Sequence, residues 1–115
     1  MSQTNAIILR ISADKADEFE RMFHEEELPI WDDFANRGKL LAASLTRASY
    51  GTEEDRWKKD SIVEYILVAV LTGMPAHGEH DDDRRFKTFL AKAQKLQPQG
   101  PLVWGGETTV GKNWP

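Results

Sequence analysis

Alternation opens the chain. In residues 5–12, Ile7, Leu9 and Ile11 fall on one side of an extended segment, and Ala6, Ile8 and Arg10 on the other. The run predicts a strand, with the first set under helices. The second set is apolar apart from one cation. The period then lengthens. Phe19, Met22 and Phe23 recur at helical spacing after Ser12 or Asp14, either of which can cap, and Asp17 and Glu18 suit the positive end of a helix dipole. Pro29 removes an amide donor and disfavours helix at Leu28, so the helix is expected to end or kink there. A short segment over 30–36 with Trp31 and Phe34 follows, stopped by Gly38. Residues 39–50 read as a second strand and 51–60 as a polar loop. Residues 62–72 are apolar on both faces, the mark of a central strand. Gly73 to Gly78, with Pro75, reads as a turn. Phe86, Phe89, Leu90, Ala93 and Leu96 lay one apolar stripe along a helix that starts at the acidic run His80–Asp83. A last strand is expected over 102–110, with Gly105 and Gly106 marking a bulge or bend, and Trp114 is expected to dock on a surface.

The order β-α-β-β-α-β implies an α+β, ferredoxin-like domain spanning residues 1–115. Right-handed crossovers give a four-stranded antiparallel sheet with both helices on one face. The other face carries Ile8, Arg10 and one alternating set from each remaining strand. An apolar face of that size needs a cover, and a second copy is the simplest one. A homodimer is therefore expected.

Composition narrows the partners. The chain has 115 residues, enough to bury roughly two-thirds of the surface it exposes when unfolded. It has no cysteine, which removes disulfides and thiol chemistry and fits a reducing compartment. Net charge is −4, and the basic residues alternate with acids, as in Glu53–Asp60, so no nucleic-acid partner is expected. The longest apolar run, Ile66 to Leu71, is too short to span a membrane, and the opening Met1-Ser2-Gln3-Thr4 has no signal-peptide pattern. The expected location is cytoplasmic.

Several side chains offer chemistry. His77, Glu79, His80, Asp81, Asp82 and Asp83 bring two imidazoles and four carboxylates into seven residues. An acidic helix start explains them without a metal, and none is expected. His24 has Glu20 and Glu27 within a turn on either side, which predicts surface pairing, or else it turns into a pocket with Trp31. Arg10 interrupts an apolar strand face and needs a partner: Glu64, Glu107, a dimer contact or an anionic ligand. Trp31, Phe34 and Trp104 suit either core packing or an aromatic pocket.

The element order, together with the local run His80-Asp-Asp-Asp-Arg-Arg-Phe-Lys-Thr-Phe-Leu and the long loop before the third strand, resembles the dimeric α+β barrel superfamily over residues 5–110. That superfamily holds cofactor-free monooxygenases, haem-degrading enzymes, isomerases and cyclases, so the resemblance implies a fold rather than one reaction. In its cyclase-like branch a Tyr and a later His form an acid–base pair, which implies Tyr65 and His77 here. In its haem-degrading branch an Asn, a Trp and a His form the site. Asn5, Trp57 and His77 have that order, but Trp57 falls in the charged loop, off the pattern, and no cofactor is expected. Ligand contacts are assigned to Arg10, His24, Trp31 and Trp104. The implied function is a homodimer that binds a small aromatic or carbonyl metabolite, with monooxygenase or cyclase chemistry. The alternative is a non-catalytic ligand-binding or accessory protein.

Overall fold

A computed structural model describes residues 2–113; the expectation for Trp114 lies outside them. The described chain forms a four-stranded antiparallel sheet in the order β2-β3-β1-β4, with β1 Gln3–Ser12, β2 Leu40–Arg47, β3 Ile62–Leu71 and β4 Gln99–Glu107. The helical segments are α1 (Ala16–Met22), α2 (Leu28–Asn36), α3 (Glu54–Asp60), α4 (Met74–Asp82) and α5 (Arg84–Gln94). This is the expected α+β, ferredoxin-like arrangement. Ile11, Phe19, Phe23, Tyr65, Phe89 and Ala93 form its core, with Leu9, Leu45 and Leu67 packed against them.

Four local expectations need correction. Helix does not stop at Pro29. A π-turn, Phe23–Glu27, connects α1 to α2, and the Leu28 amide donates to the Phe23 carbonyl five residues back. The widened turn sets Pro29 into the first turn of α2, where its missing donor costs nothing. Pro75 does the same for α4, so the predicted turn at 73–78 is the start of a helix. The polar loop at 51–60 contains α3, whose leading Glu54 and Asp55 and trailing Lys58 and Lys59 complement its dipole. The irregularity in β4 lies not at Gly105–Gly106 but near Pro101. Ile8 pairs with Leu102 while Arg10 pairs with Gln99, which leaves one extra residue where Pro101 has no amide to donate.

Gly105 has a different role. A Cβ there would come within 2.8 Å of Asn5 Oδ1 and 3.2 Å of Gln3 Nε2. Its bare backbone leaves room for those two buried side chains, which bond each other at 2.7 and 2.8 Å.

Cross-strand register fixes what the other side of the sheet carries. One row runs Thr46, Ile66, Ile8, Leu102, and the next Ser44, Val68, Ala6, Trp104. Trp104 is 62 % exposed and Leu102 41 %. Val103, on the opposite side of β4, is 61 % exposed, so this strand extends beyond the helical cover.

Candidate functional site

The first helical run and the β2–β3 half of the sheet line an open cavity of about 570 Å³, within the size range of small-molecule sites. The face of α1 and the π-turn supplies Glu20, Arg21, Phe23, His24 and Glu25. Leu28 and Trp31 come from α2, Leu45 and Arg47 from β2, and Tyr65 from β3. The π-turn matters to this wall because its wider radius places Phe23 and His24 together on the cavity side.

Three polar residues of the lining meet one another. The Tyr65 hydroxyl donates to the Glu20 carboxylate, and the same Glu20 oxygen lies 3.5 Å from the Arg47 guanidinium. Tyr65 itself is buried, its ring 5.1 Å from that of Phe19. Burial, and then the bond to Glu20, push its phenol well above the usual range, so it keeps its proton. The lining is also aromatic and aliphatic: Phe23 and Trp31 pack edge to face at 5.1 Å, and Leu28 and Leu45 are part of the wall. A protonated phenol, a carboxylate and a guanidinium in a cavity that also carries aromatic rings can hold a hydroxyl or carbonyl oxygen and exchange a proton with it.

The fold distributes the residues singled out in the sequence over three places. Tyr65, His24 and Trp31 meet in the cavity. His24 is exposed and is part of the cavity lining, while Glu20 turns to Tyr65 and Arg47, and Glu27 to His80. Arg10 and Trp104 lie on the open sheet face instead. Arg10 stands opposite Glu64 and donates through Nε to the Gly100 carbonyl at 3.1 Å, so a structural partner holds it.

His77 stands apart from Tyr65, and this corrects the proposed acid–base pair. Its Nδ1 is 3.1 Å from Gln3 Oε1 and its Nε2 is 3.0 Å from Asp81. Gln3 and Leu9, the residue paired with Tyr65, are six positions apart on β1, about 20 Å at a strand's rise. Helix α4 starts only after β3 has crossed the whole sheet, so it carries His77 to the far end. The acidic partner of Tyr65 is Glu20. Sequence reading placed it only beside His24, because its contact with β3 depends on how α1 docks.

The run His77–Asp83 is divided in two. Asp83 caps α5, its Oδ1 accepting from the Arg85 amide at 2.8 Å. Arg85 holds the Asp83 carboxyl down at about 2. Among the described residues no three His, Asp or Glu side chains are arranged to hold a metal ion. Asn5 and His77 both bond Gln3, whereas the Trp57 ring lies against Gly51, so the three residues of the haem pattern do not converge. No described helix is long and apolar enough to cross a membrane.

No protein-family model and no curated protein matches the chain. Solved structures do. A Caulobacter crescentus CB15 protein, provisionally named an antibiotic biosynthesis monooxygenase, is 19% identical with a TM-score of 0.75, over 95% of this chain and 91% of that one. Rv0793 from Mycobacterium tuberculosis is 10% identical with a TM-score of 0.75, over 98% and 100%. SnoaB, a cofactor-independent oxygenase from Streptomyces nogalater whose structure is that of a mutant, is 17% identical with a TM-score of 0.68, over 96% and 95%. The class is thereby defined by fold alone: a ferredoxin-like α+β domain with the architecture of these solved structures.

Proposed function

We propose that this chain forms a homodimer, that its cavity binds a flat, hydroxylated or carbonyl-bearing aromatic metabolite, and that Tyr65, Glu20 and Arg47 serve cofactor-free oxygenase or cyclase chemistry on it. The observation that carries this reading is that one cavity is lined both by the Phe23–Trp31 ring pair and by the Tyr65–Glu20–Arg47 cluster. The fold shared with a cofactor-independent oxygenase supports it. In this scheme Trp31 and Phe23 hold the ring system, and Arg47 stabilises the anion formed when the substrate loses a proton. Glu20 takes that proton, and the Tyr65 hydroxyl it thereby releases donates its hydrogen bond to the oxygen of the resulting substrate enolate. An activated ring methylene then becomes a carbonyl with one O₂, and the two hydrogens leave with the second oxygen as water, so no external reductant is required.

The exposed apolar rows around Ile8, Ile66, Leu102 and Trp104 support the second copy. The absence of cysteine suits a reducing compartment such as the cytoplasm.

The test is oxygen uptake with anthrone, a tricyclic ketone with an acidic methylene. The reading expects one O₂ consumed per ketone and loss of at least tenfold in rate in Tyr65→Phe. Saturable binding without uptake would favour the non-catalytic ligand-binding alternative.

A further inference from the structure

A continuous run of polar side chains joins the π-turn to the first residues of β1. Glu27, 3 % exposed, presents Oε1 to His80 Nε2 at 2.6 Å. His80 Nδ1 faces Asp81 Oδ1 at 3.2 Å, and Asp81 Oδ2 is 3.0 Å from His77 Nε2. His77 Nδ1 is 3.1 Å from Gln3 Oε1, and Gln3 is paired with Asn5.

Both ring nitrogens of His80 therefore face carboxylates. A neutral imidazole has one N–H, and its bare nitrogen would set a lone pair against a carboxylate oxygen; the imidazolium donates from both. Burial reinforces this. Among the described residues Glu27 Oε2 is buried with no hydrogen-bond partner, and the ion-pair partner of Glu27 there is His80. The contacts to the ring from α2 and α5 are aromatic. Phe34 of α2 and Phe86 of α5 contact it at centroid distances of 5.6 and 4.4 Å. Nearby, Glu79 is taken by Arg37 and Lys39, and Asp83 by Arg85. The run ends in the amides of Gln3 and Asn5, which carry no titrating proton, so it fits a clamp rather than a proton conduit.

We propose that His80 is a proton-operated latch: as an imidazolium it ties α4 to the π-turn through Glu27, and its deprotonation slackens the turn whose Phe23 and His24 wall the Tyr65 cavity. The consequence for ligand binding rests on reading that cavity as the working site; the latch itself does not.

The test uses ligand-free protein: histidine ¹⁵N NMR and backbone amide shifts followed from pH 5.5 to 9. The latch predicts both His80 ring nitrogens protonated at pH 7. It predicts that Glu27→Gln, which keeps the shape of the side chain, lowers the His80 midpoint by about 1–3 pH units. It also predicts that the Phe23 and Trp31 amides follow the His80 curve in the wild type. A neutral His80 at pH 7, an unmoved midpoint in Glu27→Gln, or cavity amides indifferent to the titration would each overturn it. Because no ligand is added, these results stand apart from whether anthrone binds or reacts.

Discussion

The Tyr65 hydroxyl, carried by a central strand, donates to the carboxylate of Glu20 on α1, and together with the Arg47–Glu20 ion pair this bond joins the sheet to the helical wall of the cavity. Its burial and its anionic partner both work against ionisation of the phenol. In a Tyr50→Phe variant, where Tyr65 is the sole tyrosine, ultraviolet titration should show no phenolate through the usual range. The signal should come only well above it or with unfolding. Adding Glu20→Gln should bring the midpoint down, since the hydrogen bond to a carboxylate and its charge are then gone. Burial would still hold the midpoint above that of a free tyrosine.

Gly105 leaves space for the Gln3–Asn5 amide pair. Gly105→Ala should cost about 1–3 kcal/mol, because the new methyl forces apart buried groups that then lack partners. Gly106→Ala, whose Cβ meets nothing within 4 Å, is the control and should change the thermal midpoint far less. Paired thermal melts check the contrast.

Charge also sets the pH dependence of stability. Burial opposes the protonation of His80, but Glu27 and Asp81 outweigh it and raise its pKa above the ordinary imidazole value of about 6.5. The resulting stabilisation is complete below that value and is lost as pH rises through the raised pKa. Denaturant melts of the wild type should therefore weaken on going upward from pH 6.5. Glu27→Gln should flatten that slope.

At the other end of the scale, Asp83→Ala removes the cap of α5 and should cost about 1 kcal/mol at neutral pH. Its carboxyl, held down at about 2, contributes stability above the ordinary aspartate range and loses it as pH falls through about 2. The difference between wild type and variant should shrink in acid, which chemical denaturation at several pH values measures.

The open rows of the sheet make a further prediction. Sedimentation at micromolar concentration should find particles of twice 13.1 kDa. Trp104→Glu, placing a charge where an exposed indole now stands, should shift them at least tenfold toward single chains. A wild type that sediments only as single chains would remove the homodimer.

Much of this fold is legible in the sequence because strong periodicity survives docking. The alternation of Ile7, Leu9 and Ile11 and the stripe Phe86–Leu96 identify β1 and α5 directly, and the order of elements supplies the sheet. The prolines mislead because proline reads the same in a turn as at the first turn of a helix. Pro29 and Pro75 differ from a break only in what precedes them, a π-turn in one case and a glycine in the other. Of the candidate site, Tyr65, Trp31 and His24 were visible as residue types with unusual neighbours. Glu20 and Arg47 were not, since each looks like one more charge in a charged chain until α1 lies across β2 and β3. The pairing of His77 with Tyr65 is implied only by the resemblance to the cyclase-like branch, and the length of β3 separates them.

The cavity is the centre of this account, and quenching of tryptophan fluorescence by anthrone tests it most directly, compared across the wild type, Trp31→Phe and Trp104→Phe. The account predicts saturable quenching of the wild type. Trp31→Phe should remove most of that signal and Trp104→Phe leave its midpoint unchanged. Folded protein that shows no saturable quenching, or quenching that disappears with Trp104 and persists without Trp31, would contradict it.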